Sequence, residues 1–388
     1  MNTLPTFSRR ARWAIPGAAV VLAAAVTAGS LISTAQASPE LPPRTAAQLL
    51  AAVAGRDAPP PALTGTVVET ASLGLPQLPG TSDQTSVTSL LAGSHTIKVW
   101  YADPQHIRLA VPVTLSETDV IRDGRQVSVW QSKSNTVTRM RLPAKMAGAH
   151  AKAMPSQVPL TPQEAASQAL KAVGPSTRVS VERNVTVAGQ PAYQLVLSPR
   201  SSGSLIGRVT IAIDATRNVP LRVQVFARGA ASPAIQVGYT SISFVKPAAA
   251  NFSFTTPPGA KVKVVSPPAD SSRHTAKGAK PGGEPQVIGK DWLSVAVLPA
   301  SDLAGVMGAG SASAGAAGVG SQSVTSGSGD SGAIAAALMH SATRVRGAWG
   351  SGRLLHTRLV NVLMTDNGHV LVGAVTPAVL YAAAAQAK

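Results

Sequence analysis

The residues that could do chemistry are few, and they are badly placed for it. Gly327-Ser-Gly329-Asp-Ser-Gly332 has the spacing by which a glycine turn brings backbone N–H groups up to a pyrophosphate. That turn works only when a strand delivers it to a helix, and here it lies inside a long Gly/Ala/Ser tract. Gly329-Asp330-Ser331-Gly332 sets a serine in a small-residue loop, but no histidine in a matching context accompanies it. Capping the helix expected over 333–340 is the simpler role for Ser331. Histidines stand at 95, 106, 150, 274, 340, 356 and 369, with neither HExxH nor any pair at i and i+4, so no metal site is indicated. Glu117 and Asp119 share a strand face, yet nothing basic or nucleophilic is tied to them as acid–base work requires. With no cysteine, thiolate chemistry and disulfides drop out as well. The chain reads as a non-enzymatic protein without cofactor or metal.

The ends and the charge suggest where it works. Arg9, Arg10 and Arg12 precede an apolar small-residue run to Gly29, and Ala35-Gln36-Ala37 offers a small-x-small cleavage pattern. A secretory signal cleaved near Ala37 is expected. The alternative is a retained anchor, although Pro16-Gly17 interrupts the run and leaves it shorter than the roughly 20 residues a membrane span prefers. The formal charge is +17, or +14 once the three signal arginines are subtracted. An exported basic protein meets anionic lipid headgroups and wall polymers at the envelope surface. Its cations are scattered and only 4% of residues are aromatic, so the stacking stripe of a single-strand nucleic-acid binder is absent.

Most of the remaining chain must be sheet. Thr45 to Gln48 forms a capping box that opens a short helix reaching Gly55, and Thr161-Pro162-Gln163-Glu164 opens a second, ending near Gly174-Pro175. Extended runs are expected at 63–70, 95–101, 106–113, 118–122, 126–131 and 136–140. After the second helix they resume at 177–187, 191–198, 206–214, 219–227, 234–245 and 251–255. Asp123-Gly124 supplies the positive φ angles of a two-residue hairpin loop, and Lys133-Ser134-Asn135 a second turn. Residues 266–285 are a Pro/Gly/Lys linker, and 304–332 a Gly/Ala/Ser insertion too poor in large apolar groups to pack. The tail, 286–388, is expected as a small α+β domain in β-α-β-β-α order, with strands at 286–298, 353–364 and 369–375 and helices at 333–340 and from Pro377.

The fold class is therefore mainly β (α+β), a large curved antiparallel sheet over 38–265 with one long apolar face, plus that tail domain. Such a sheet has more apolar face than two or three helices can cover. Either loops and helices fill it as a core, or an apolar cavity remains. On the first half of the sheet the candidates for lining it are Val99, Ile107, Leu109, Val127 and Val129. On the second half they are Leu195, Leu197, Ile211 and Val223.

Three stretches carry a resemblance. Val99-Trp100-Tyr101-Ala-Asp-Pro104-Gln-His-Ile-Arg108-Leu109 is followed by Asp119-Val-Ile-Arg-Asp123-Gly124 and Val129-Trp130, and Phe252-Ser-Phe254-Thr-Thr-Pro257-Pro258-Gly259-Ala-Lys-Val262 closes the series. In order and spacing they resemble the LolA-like lipoprotein carriers and the N-terminal domain of RseB (MucB), over roughly residues 45–265. The resemblance implies that the sheet is an unclosed antiparallel β half-barrel lidded by short helices, whose apolar cavity takes acyl chains. It implies as partner a lipid, a lipoprotein acyl chain or, in the RseB manner, the exported part of a membrane-bound anti-sigma factor. It also implies that Arg108 gates the lid by hydrogen-bonding its backbone carbonyls. The chain departs from that pattern in its long 73–94 loop and added tail, and its composition is that of a high-GC bacterium.

Overall fold

The computed structural model describes residues 39–54, 59–74, 92–113, 115–143, 160–265, 286–300 and 341–387. The expected signal segment, the expected linker at 266–285, the expected insertion at 304–332 and the helix expected at 333–340 lie outside the described residues.

Among the described residues, two sheets and three α-helices make the fold. In the first sheet β1 (Leu63–Ser72), β2 (Ala92–Asp103), β3 (His106–Val113), β4 (Ser116–Asp123), β5 (Gln126–Gln131) and β6 (Thr136–Arg141) form an antiparallel meander. A second meander follows in β7 (Thr177–Val187), β8 (Gln190–Pro199), β9 (Ile206–Asp214), β10 (Pro220–Ala227) and β11 (Ile235–Ser243). The two join where β11 pairs with β1, and β12 (Lys261–Val265) adds to the free edge of β6 in parallel. The order β12-β6-β5-β4-β3-β2-β1-β11-β10-β9-β8-β7 leaves an open sheet of twelve strands, the unclosed half-barrel.

The sheet curls. Strands β7 and β11 stand four places apart, about 19 Å in a flat sheet, yet some of their residues come within 8 Å of each other. Breaks of register at Thr66/Val67, Tyr101/Asp103, Glu182/Val185 and Pro220/Arg222 supply the bends, since an extra residue in one strand increases local twist.

Pairing fixes which side chains share a face, because residues opposite one another on neighbouring strands point the same way. One row runs Val181-Leu195-Ile211-Val223-Val237-Glu69-His95 across six strand boundaries. On the same face a second runs Gly65-Val99-Leu109-Val120-Val129-Thr138, and a third Leu63-Tyr101-Ile107-Arg122-Val127-Met140. This is the inner face. Gly65 has to be glycine: a Cβ there would stand 2.7 Å from the Ser241 carbonyl oxygen and 2.8 Å from the Tyr239 ring.

Helix α1 (Ala46–Ala54) and helix α2 (Pro162–Lys171) cover the inner face of the second meander. Both capping boxes form as expected, Thr45 with Gln48 and Thr161 with Glu164. Leu49, Leu50, Ala166, Ala169 and Leu170 pack on Leu195, Leu197 and Ile211.

The tail builds an antiparallel six-stranded sheet in the order β13-β14-β18-β17-β16-β15, from β13 (Gln286–Ile288), β14 (Val295–Pro299), β15 (Thr343–Gly347), β16 (Gly350–His356), β17 (Asn361–Thr365) and β18 (His369–Gly373). It corrects the expected order in three places. The run 286–298 is two strands, split at Gly289 and a 3-10 turn at Asp291–Leu293. The run 353–364 is also two, because Thr357 folds back and bonds the Val360 carbonyl. Strand β15 went unread because exposed, basic Thr343–Gly347 has no apolar alternation. Helix α3 (Pro377–Gln386) closes the tail core with Leu380, Ala383 and Ala384 on Leu363 and Leu371.

Main-chain bonds join the sheets: Leu205 N–H to the Ala374 carbonyl at 2.9 Å and Thr376 N–H to the Gly203 carbonyl at 2.8 Å. Trp292 adds an indole bond of 2.7 Å to Thr177 Oγ1. In the first sheet the expected strand at 251–255 is absent. Those residues follow a 3-10 turn at Ala249–Asn251 and reach Pro257-Pro258-Gly259, where Gly259 turns at φ +70 into β12. The Asp123-Gly124 hairpin forms, but its loop is Gly124-Arg125, and of these only Gly124 takes positive φ, at +59.

Candidate functional site: the inner face of the half-barrel

The nine apolar residues expected to line a cavity all stand on the inner face, and the structure divides them. Leu195, Leu197, Ile211 and Val223 lie under α1 and α2, where they are packed core. Val99 and Leu109 are buried in a second cluster, filled by Val187, Ala192 and Leu221 from the curled end of the second meander. Val127 is buried as well. Ile107 and Val129 keep partial exposure at the margin of that cluster, as does Val113. Among the described residues, helix cover thus falls on β7–β11, and the apolar face of β3–β6 is the less covered half.

Arg108 is corrected by strand parity. Leu109 points inward, so its neighbour Arg108 points outward, on the face opposite the helices whose carbonyls it was expected to bind. There its Nε and Nη2 donate to the two Asp119 carboxylate oxygens, at 3.2 and 2.6 Å. The guanidinium also lies 5.2 Å from the Trp100 ring centroid. Asp119 is only 2% exposed, so this pair secures a buried charge between β3 and β4. Among the described residues, these are the polar partners of Arg108. The expectation that nothing basic is tied to Glu117 and Asp119 is likewise corrected, since Asp119 is the buried half of an ion pair with Arg108.

The lid has different ties. Gln163, in the first turn of α2, donates to the Tyr239 hydroxyl at 3.3 Å. The Leu160 N–H, just before that helix, bonds the Glu69 carboxylate. Glu69 faces His95 directly across the β1–β2 ladder, and its Oε2 is a buried oxygen that finds no hydrogen-bond partner among the described residues. Burial pushes the Glu69 carboxyl above its ordinary value of 4.5, against the opposing pull of His95 and the Leu160 N–H. These residues were legible as inner-face groups, because Glu69 shares a strand face with Val67 and His95 with Ile97. Nothing in the sequence said that β1 would meet the start of α2.

The sign of the pH effect follows. Folded Glu69 holds its proton to a higher pH than the unfolded chain does, so stability falls as pH rises from 4.5 through the folded value. Glu69→Gln removes that penalty. Thermal melts should show the variant above wild type at about pH 7 and the two converging at about pH 4. A variant that melts lower at neutral pH would show that the Glu69–His95 attraction outweighs desolvation.

Among the described residues no cluster of three or more His, Asp or Glu is arranged to hold a metal ion, and no helix is long and apolar enough to cross a membrane. The geometry provides a partly exposed hydrophobic wall on β3–β6 beside a tethered helix.

No family model and no curated protein matches the chain. Solved structures do. The Pseudomonas aeruginosa MucA/MucB complex includes a chain 16% identical, aligned over 87% of this chain and 94% of its own, with a TM-score of 0.36. A LolA superfamily protein from Nitrosomonas europaea is 11% identical over 55% of this chain and 99% of its own, with a TM-score of 0.23. An uncharacterized conserved protein from Thermus thermophilus is 12% identical over 57% of this chain and 99% of its own, with a TM-score of 0.31. At these scores the description of the fold rests on this chain's own strand order and register. The LolA and MucB structures bear the same names as the resemblance found in the core strands and the Phe252–Val262 segment.

Proposed function

We propose that this is an exported, non-enzymatic binding protein that holds a lipid, an acyl chain or a lipidated protein segment against the inner face of its half-barrel. One observation carries the reading: α1 and α2 cover β7–β11, while Ile107, Val113 and Val129 on the other half remain partly exposed beside a buried apolar cluster. An acyl chain laid on that wall replaces water there at roughly 0.8 kcal/mol per buried methylene. Gln163–Tyr239 and Leu160–Glu69 hold the lid beside it. Titration of delipidated protein with a fluorescent fatty acid tests the reading. Saturable binding is expected, and a linear, unsaturable signal would overturn it.

A second reading is supported by the bonds between the two sheets. A tail locked to the half-barrel through Leu205–Ala374, Thr376–Gly203 and Trp292–Thr177 presents a fixed composite surface, suited to a protein partner such as the exported part of an anti-sigma factor. The MucB structure named above is a complex with MucA. Pull-down from envelope extracts separates the two: a lipoprotein favours the first reading, and an anti-sigma factor the second.

A further inference from the structure

The free edge of the first sheet has a construction that acyl binding does not use. Strand β12 is exposed at all five positions, including Val262, Val264 and Val265, with Val264 79% exposed. Its pairing with β6 shows which backbone groups are spent. Lys261 donates its N–H to the Asn135 carbonyl at 2.9 Å, and a parallel ladder uses both groups of alternate residues. Lys261, Lys263 and Val265 therefore face β6. Val262 and Val264 turn their N–H and C=O groups away from it, where no described strand pairs with them. Their side chains share the outer face with Val137 and Arg139. On that face a cleft of about 440 Å³ opens beside the edge, lined by Val264, Ile121, Arg139, Arg141, Phe252 and Phe254.

We propose that this edge and cleft dock an extended, acidic segment of a partner protein, added as a thirteenth strand. The outward amides of Val262 and Val264 supply main-chain bonds, and the cleft receives an apolar side chain of the incoming strand. Charge selects the partner. Lys261, Lys263 and Arg141 are exposed around the edge, and Arg139 lines the cleft, where Asp123 is the opposing acid. A second copy would bring the same lysines against these, which is how edge strands resist self-pairing.

The probe is a fluorescein-labelled peptide of about nine residues, a strand's length, alternating leucine with aspartate. A leucine–lysine peptide is the control. Anisotropy with the full chain should saturate for the acidic peptide, weaken at high salt and stay flat for the basic one. Val264→Pro removes an outward N–H that β6 does not use, and should weaken binding about tenfold or more. Fatty-acid binding should be unchanged in this variant, which separates this inference from the acyl reading. If the variant melts early, Lys261→Glu with Lys263→Glu serves instead and should give the same loss. Hydrogen exchange across 261–265 should slow when the peptide binds. A flat acidic titration, equal binding of the basic peptide, or full affinity in both variants would overturn the proposal. So would sedimentation showing a wild-type dimer that Val264→Pro dissolves, since the edge would then belong to a second copy.

Discussion

Arg108→Leu is expected to destabilise the protein by about 3 kcal/mol, lowering its melting temperature by roughly 6–12 °C. The substitution leaves the Asp119 carboxylate buried between β3 and β4 with both guanidinium bonds gone. Removing one partner of a buried pair costs more than the pair contributes, because the surviving charge still lacks water. Arg108 is itself 29% exposed, which keeps the figure at the low end of that range. The double variant Arg108→Leu/Asp119→Leu should regain at least half of the loss, since no lone charge remains. Ligand release separates this account from gating. A structural Arg108 changes the melt and leaves release rates near wild type, whereas an Arg108 that held the lid would speed release with little change in the melt.

Val129→Asp should weaken fatty-acid binding about 100-fold, equivalent to about 2.8 kcal/mol. Val129 sits between Val120 and Thr138 on the inner row and is the partly exposed apolar residue on the inner face of β5. A carboxylate there must either be desolvated by the ligand or keep water on the wall, and both oppose an acyl chain. Val129→Ala keeps the wall apolar and should retain affinity within about fivefold, a loss of roughly 1 kcal/mol. If Val129→Asp folds and binds like wild type, the ligand does not lie on β3–β6.

Much of the first sheet was legible because its strands alternate cleanly and its helices start with capping boxes. The runs at 63–70, 106–113 and 177–187 each became a strand, and Thr161-Pro162 opened α2 where a capping box with proline at N1 should. The parity that placed Val99, Leu109, Leu195 and Ile211 on one face came from the same alternation. Arg108 shows where the resemblance outran it. Alternation already put Arg108 opposite Leu109, and that argument was stronger than the role carried over from the family. Strand β12 was missed because Lys261 to Val265 is short and exposed on both sides, so burial leaves no pattern in it. Glu69 and His95 were passed over for another reason. Their significance depends on the approach of Leu160 from about ninety residues away along the chain, and no local rule encodes that contact.

The central claim is that an apolar chain lies on the inner face of β3–β6. A crystal of delipidated protein soaked with a fatty acid brominated at its terminal carbon tests it most directly, because anomalous scattering locates the bromine without assumptions about the lid. The account predicts a peak on the inner face beside Ile107 and Val129. A peak in the outer cleft beside Phe252 and Phe254, or no ordered bromine at saturating ligand, would contradict it.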